Sequence, residues 1–376
     1  MGINRRTRIL IVDDSAVMRS LLRSVIATDA ELEVAGTAAD GASALGSLAA
    51  SAPDLVLLDV EMPVMDGLVT LRQLRERGNK MPVIMCSSLT QHGAKVTIEA
   101  LAGGASDYVA KPAGHASREA SMRALAQELI PKIHALAAAA LRDAAVPIAP
   151  RLTLPVAGPR AIAALPPGKP SVVAIGVSTG GPAALDVLLP ALPGDFPLPI
   201  LIVQHMPEVF TRLFAERLGR RCQLRVGEAT EGERAVAGGI YIARGNWHME
   251  LLAAARTGGA PTIHLNQDAP ENHCRPAVDV LFRSAARVYG SGVLAVVLTG
   301  MGSDGLAGCR LIRQQGGIVL AQDQATSTVW GMPGAVTQAG LAHKVLPLGA
   351  MAAEIGRICR RTAVAGDAGN SARMAV

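Results

Sequence analysis

Aromatic side chains are nearly missing from this chain: Phe, Tyr and Trp together make up 2% of its 376 residues. Single-stranded nucleic acid is held largely by stacking on aromatic rings, so that class of binder is disfavoured. Basic clusters do not replace the rings. Basic against acidic residues stand at 13 to 14 over residues 1–123, 5 to 2 over 124–170 and 18 to 15 beyond, so the excess of five is diffuse. A helix-turn-helix with basic recognition residues is also missing, which argues against a DNA-binding output. The five cysteines, Cys86, Cys222, Cys274, Cys309 and Cys359, have no C-x-x-C spacing, and no secretory apolar stretch precedes the first strand. A reduced, cytoplasmic location is expected. No apolar run approaches the roughly 18 residues that span a bilayer. Met1-Gly2 is not followed by a myristoylation pattern, because Arg6 stands where Ser or Thr is needed.

What the chain does have is length and hydrophobicity enough for two cores. From Arg8, short apolar runs alternate with helical periodicity: Ile9 to Val12, a run around Val34, Leu55 to Leu58, Val83 to Cys86 and Tyr108-Val109. Near-continuous apolar strands in βα repeats predict an α/β domain, a doubly wound (βα)5 parallel sheet over residues 1–125. An Ala-rich helix from about Ser117 to Ala145 runs into seven prolines within residues 147–170. That density denies regular structure, so 126–170 reads as helix plus linker. A second parallel-sheet α/β domain is expected over 171–363, with strands from Val172, Ile200, Leu294 and Ile318. Residues 364–376 read as a disordered tail.

Ligands of such sheets sit at the carboxyl ends of the strands, where Asp13, Asp14, Asp59, Ser87 and Lys111 all fall. Three converging carboxylates need a cation among them, and hard oxygen ligands suit Mg²⁺. Lys111 supplies a second cation and Ser87 a hydroxyl donor for a phosphoryl group beside Asp59. Taken singly, each is an ordinary strand-end turn residue; together and in this order they are a site. The stretches Ile9-Leu-Ile-Val-Asp13-Asp14-Ser15, Leu57-Leu-Asp59-Val-Glu-Met-Pro63-x-Met-Asp66-Gly67 and Lys111-Pro112 closely resemble response-regulator receiver domains. The resemblance implies phosphorylation of Asp59 by a partner histidine kinase, with Asp14 a direct Mg²⁺ ligand and Asp13 assisting. Ser87 and Tyr108 would then couple phosphorylation to a changed surface.

In the second half, Gly176-Val-Ser178-Thr-Gly180 follows an apolar strand. Such a turn exposes a serine at a helix N-terminus, where amides can stabilise an oxyanion. His205, after the strand Ile200 to Val203, is the best candidate among eight histidines for its base. Asp304 lies in Leu298-Thr-Gly-Met-Gly-Ser-Asp304-Gly305, again after a strand; its plain reading is the N-cap of the next helix. Three strand ends thus deliver Ser, His and Asp to one sheet edge, as a triad requires. The chain order Ser, His, Asp departs from the α/β-hydrolase template. His264, Asp268, Glu271, His273 and Cys274 match no zinc spacing and read as a substrate-side or structural loop.

These motifs, with Val203-Gln-His205-Met-Pro207, Phe210-Thr-x-x-Phe214-Ala-x-Arg217-Leu218 and Trp330-Gly-Met-Pro333-Gly334, resemble the chemotaxis protein-glutamate methylesterases of the CheB type. The resemblance implies hydrolysis of glutamate methyl esters on the cytoplasmic helices of chemoreceptors, with Ser178 as nucleophile, His205 as base and Asp304 orienting it. Thr179 and Met301 would lie on the oxyanion and substrate side, and the catalytic domain would need no cofactor. Two departures bear on peptide selectivity: Ala243-Arg244-Gly245 where many relatives have Ala-Pro-Gly, and His273-Cys274-Arg275-Pro276 where many have Arg-His-Arg-Pro. Glutamine deamidation on the same receptors is the competing enzymatic reading, and a receiver-controlled binding module the non-enzymatic one.

Overall fold

The computed structural model describes residues 5–112, 117–144, 170–254 and 259–360. The proline-rich stretch before Pro170 and the expected tail at 364–376 lie outside these residues. The chain forms two compact units, described here separately.

In the first unit the strands are β1 (Thr7–Val12), β2 (Leu32–Ala38), β3 (Leu55–Asp59), β4 (Val83–Ser87) and β5 (Asp107–Ala110). The intervening helices are α1 (Ala16–Ile26), α2 (Gly41–Ser51), α3 (Gly67–Glu76) and α4 (Gln91–Ala102), with α5 (Arg118–Ala144) last. The strands form one parallel sheet in the order β2-β1-β3-β4-β5. Every residue of β3 and β4 is buried, as expected where helices cover both faces. Each of the first four helices starts on a side-chain cap: Ser15 for Met18 N–H, Asp40 for Ser43, Asp66 for Val69 and Thr90 for Gly93. These caps fix the strand-to-helix turns that carry the acidic residues.

The expected domain boundary at residue 125 falls inside α5. Leu125, Leu129, Ile133 and Leu136 of that helix are buried, and Lys132 Nζ donates to the Tyr108 carbonyl at 2.6 Å and to Glu128 at 2.9 Å. The helix belongs to the receiver-like unit at least as far as this packing extends.

The second unit contains β6 (Val172–Val177), β7 (Ile200–Gln204), β8 (Arg225–Glu228), β9 (Gly239–Ile242), β10 (His248–Leu252), β11 (Thr262–Asn266), β12 (Val293–Val297), β13 (Ile318–Gln322) and β14 (Lys344–Leu346). Its helices are α6 (Gly181–Leu188), α7 (Glu208–Gly219), α8 (Val278–Tyr289), α9 (Leu306–Gln314), α10 (Met332–Gln338) and α11 (Leu348–Arg360). Seven strands make a parallel sheet in the order β14-β13-β12-β6-β7-β9-β8, while β10 and β11 pair antiparallel beside it. From β6 the chain moves outward through β7 to β9 and β8 on one side, and from β12 outward through β13 and β14 on the other. The sheet therefore changes winding direction at β6 and β12, which leaves a crevice at their carboxyl ends. Among the described residues no helix is long and apolar enough to cross a membrane.

Gly67 begins α3 where the chain passes against the end of β3 at Asp59. A Cβ there would sit 2.0 Å from the Asp59 carbonyl oxygen and 3.0 Å from its carbon. Gly67→Ala is expected to destabilise this unit by about 1–3 kcal/mol. Urea unfolding followed by amide exchange in receiver peptides measures it; unchanged protection would mean the strand end yields freely.

Candidate active site and phosphoryl-acceptor site

Asp13 and Asp59 are buried at the ends of β1 and β3, with Asp14 exposed beside them. One carboxylate oxygen from each lies within 4.8 Å of the others. Lys111 Nζ reaches both buried members, 2.8 Å from Asp13 Oδ2 and 2.7 Å from Asp59 Oδ1. Asp13 Oδ2 is buried and its contact with Lys111 is ionic, without a directed hydrogen bond. Burial raises the Asp59 pKa, and Lys111 offsets this only in part. For Lys111, burial alone would lower the pKa, but the adjacent Asp13 and Asp59 carboxylates raise it. Three carboxylates against one ammonium leave an acid excess, and oxygen donors this close suit a small hard cation.

The other expected switch residues lie on β4 and β5. The Ser87 hydroxyl is buried and donates to the Ser88 carbonyl at 3.1 Å. Tyr108 is buried, its ring 5.1 Å from Lys132 Nζ.

In the second unit, the register pairs Val177 with Gln204 across β6 and β7, which places Ser178 beside His205. Ser178 N–H donates to the Thr299 carbonyl at 3.0 Å, and the Ser178 carbonyl accepts Gly181 N–H at 2.7 Å and Gln204 Nε2 at 3.1 Å. The same Gln204 amide bonds the His205 carbonyl at 3.2 Å, so one side chain braces both turns. Gly300 lets the third loop close in, since a Cβ there would lie 2.9 Å from Ser178 Cβ. Gln322, at the end of β13, accepts Thr299 N–H at 2.8 Å, and Thr299 Oγ1 donates to the Thr179 carbonyl at 2.9 Å. Thr179 is buried, and half-buried Met301 follows Gly300 in the loop that leads to Asp304.

His205 Nε2 donates to Asp304 Oδ2 at 2.8 Å. The Asp304 carboxylate accepts, in addition, Val278 N–H at 2.6 Å, Asp279 N–H at 2.9 Å, Gly305 N–H at 2.9 Å and Asn272 Nδ2 at 2.9 Å. The plain sequence reading made Asp304 the cap of its own following helix. That helix, α9, instead begins on Gly305 with no side-chain cap, and Asp304 caps α8. Burial alone would raise the Asp304 pKa, but the His205 bond and the amides lower it. For His205, burial pulls the pKa down, while Asp304 and then Cys274 push it up to about 9.

The second ring nitrogen, Nδ1, lies 3.5 Å from Cys274 Sγ. Among the described residues no hydrogen bond joins Ser178 Oγ to the ring. Sequence reasoning placed Cys274 only in a rim loop and missed Asn272, Gln204, Thr299 and Gln322. A signal existed for three of them: a polar residue ending an apolar strand, as in Val203-Gln204-His205, has no reason to be buried unless it bonds neighbouring loops. Of the other departure, Arg244 Nε bonds Glu208 Oε1 at 3.0 Å and its guanidinium lies 5.5 Å from the Trp247 ring centre. It ties the loop after β9 to the start of α7. The members of the suspected metal-like cluster have separate partners: His264 pairs with Glu231 at 3.1 Å and Glu271 with Arg283 at 2.6 Å.

Residues 173–355 match the sequence profile of the CheB methylesterase family, and residues 9–122 match that of the response regulator receiver domain. A protein-glutamate methylesterase/protein-glutamine glutaminase of Nocardioides sp. is 50% identical over 93% of this chain and 94% of its own. The chain belongs to the CheB methylesterase family. A second such relative, from Trichodesmium erythraeum, is 47% identical over 93% of this chain and 97% of its own. The Thermotoga maritima CheB methylesterase catalytic domain is 41% identical, covering 51% of this chain and 100% of that one, with a TM-score of 0.49.

The shift at His205 has a pH signature. A folded-state pKa raised from 6.5 to about 9 contributes stability that is complete below pH 6.5 and is lost as pH rises through 9. Unfolding free energy is therefore expected to fall by up to about 3 kcal/mol over that interval, with the decline missing in His205→Gln. Urea unfolding across pH checks this; a flat wild-type curve would show that the ring stays neutral throughout.

Proposed function

We propose that this chain hydrolyses glutamate γ-methyl esters on chemoreceptor helices through Ser178, His205 and Asp304, under control of phosphorylation at Asp59. The observation that carries the reading is the His205–Asp304 pair lying beside Ser178 at the point where the sheet changes winding direction. In the neutral ring, with Nε2–H bound to Asp304, the lone pair of His205 is on Nδ1, the nitrogen that must take the serine proton. Ser178 Oγ attacks the ester carbonyl as its proton passes to Nδ1. The tetrahedral oxyanion is stabilised on the Thr179 and Met301 side. Collapse expels methanol, which leaves with the proton held by His205. Water, deprotonated by the same nitrogen, then cleaves the glutamyl-Ser ester and frees Ser178 and the glutamate carboxylate. An amide substrate would release ammonia by the same path, and the double name carried by the relatives favours this as a second activity.

Control is assigned to the first unit. Asp13, Asp14 and Asp59 would hold Mg²⁺, which neutralises the incoming phosphoryl group when bound. Lys111 then turns from a carboxylate partner into a phosphoryl partner, and the Ser87 hydroxyl, with Tyr108 behind it, responds to the new charge. The donor is a histidine kinase of the chemotaxis type. Setting is cytoplasmic, on the receptor side of the membrane.

Ser178→Ala is expected to lower methanol release from a glutamate γ-methyl ester peptide at least about a thousandfold while leaving folding intact. Undiminished turnover would remove Ser178 as nucleophile. Asp304→Asn is expected to lose roughly four orders of magnitude and also thermal stability, because an amide NH₂ must face one set of the backbone N–H groups that the carboxylate now accepts.

Phosphorylation is expected to release a restraint that the receiver unit imposes on the esterase. A small phosphodonor plus Mg²⁺ should speed the full chain and leave Asp59→Asn unchanged, and a fragment from Pro170 onward should be active without phosphate. If that fragment is no faster than the unphosphorylated full chain, control acts through receptor docking instead. Population shifts of this kind need only a few kcal/mol.

A further inference from the structure

One tight turn touches both members of the base pair. Glu271 and Cys274 exchange backbone hydrogen bonds at 3.1 and 2.9 Å, and Asn272 and His273 between them occupy the left-handed region at φ 51° and 62°. Two consecutive left-handed residues define the tightest hairpin turn, for which Asn is well suited at the first position. The turn is pinned at both ends. Arg283 grips Glu271 with both terminal nitrogens at 2.6 Å. Arg275 bonds Asn246 Oδ1 at 2.7 Å and the carbonyls of Gln267 and Asp268 at 2.9 and 3.0 Å. From this frame Asn272 Nδ2 donates to Asp304 Oδ1 at 2.9 Å and to Asp279 Oδ2 at 3.1 Å, while Cys274 Sγ stands 3.5 Å from His205 Nδ1.

We propose that the Glu271–Cys274 turn positions the esterase base: Asn272 fixes the Asp304 carboxylate, and the Cys274 sulfur engages the His205 nitrogen that Ser178 needs. The inference rests on His205 serving as the base of Ser178. Asn272 is a bridge between two buried carboxylates that would otherwise repel each other, so it sets where the Asp304 oxygens point. Cys274 is a competitor. The 3.5 Å contact allows S–H donation to the neutral ring or acceptance from the protonated one; Cys274 pushes the His205 pKa up, which tips the balance to the second and so to the form of His205 that cannot act as a base. The ring must exchange Cys274 for Ser178 before each turnover.

Other charged groups on the elements around the ring are already engaged. Glu208 of α7 pairs with Arg244, Glu271 with Arg283, and Asp279 of α8 with Gly308 N–H and Asn272. His248 is buried with Nε2 on the Ala269 carbonyl and Nδ1 accepting Ala277 N–H. Among the described residues, Asp304 and Cys274 are the titratable groups hydrogen-bonded to the ring. The other cysteines are poorly suited to compete for a thiol reagent. Cys86, Cys309 and Cys359 are buried, and burial pushes the Cys222 pKa up to about 11.

The test uses the full chain, activated with acetyl phosphate and Mg²⁺, on a peptide bearing a glutamate γ-methyl ester. Cys274→Ala and Cys274→Ser are expected to move the acid limb of the kcat/KM profile to lower pH, raising the rate at pH 6 relative to each variant's own plateau roughly threefold. A limb that stays in place or moves upward overturns the role of Cys274, whatever the plateau height. N-ethylmaleimide, whose double bond adds the thiol sulfur to one carbon and the proton to the other, is expected to inactivate the wild type and spare Cys274→Ala. Equal inactivation of both also overturns it. Asn272→Ala and Asn272→Ser are expected to lower kcat about tenfold with little change in KM; a loss confined to KM or to the thermal midpoint overturns the role of Asn272. Activity retained in Ser178→Ala would instead defeat the underlying assignment of the base.

Discussion

A single buried carboxylate organises the catalytic unit. Asp304 is 2% exposed, and an isolated charge at that depth would cost several kcal/mol. Backbone amides remove that penalty. Val278 and Asp279 N–H point from the first turn of α8, where unsatisfied amides and the helix dipole favour an anion, and Gly305 and Asn272 supply the rest. A carboxylate so heavily solvated by protein stays ionised and stays still. It can then hold an imidazole in one tautomer without competing for its proton. The low Asp304 pKa and the high His205 pKa are two readings of this one arrangement.

Much of this was legible in the sequence because parallel sheets are simple to read. Near-continuous apolar runs gave the strands, and the residue just past each run fell at the edge where ligands sit. Ser178, His205 and Asp304 are found there, as are Asp13, Asp59, Ser87 and Lys111. The edge strands β8 and β14 and the β10–β11 hairpin left little trace. They are three to five residues long, and β8 is partly exposed, so neither period nor hydrophobicity marks them strongly. The bracing residues were hidden for another reason. Gln204, Thr299, Gln322 and Asn272 act through bonds to the main chain or to carboxylates far away in sequence, such as Asn272 to Asp304, and no local pattern encodes those pairings.

The two units solve a shared electrostatic problem in opposite ways. In the first, burial raises Asp59 and the surrounding donors are few: Lys111 and Val60 N–H at 2.8 Å. The carboxylate is left under-compensated, which would suit the phosphoryl-accepting role proposed for it. In the second, Asp304 is saturated with donors, which would suit the orienting role proposed for it.

The capping of α8 by Asp304 also joins local folding to the placement of His205. The amide protons of Val278 and Asp279 can exchange with solvent only when the carboxylate withdraws, and that withdrawal releases the imidazole as well. Fraying of this first helical turn, an event normally without chemical meaning, here takes apart the His205–Asp304 pair. With His205 as the proposed base, the fraction of molecules able to turn over substrate at any instant would be bounded by the closed population of one turn of helix, and the protection of two backbone protons would report it.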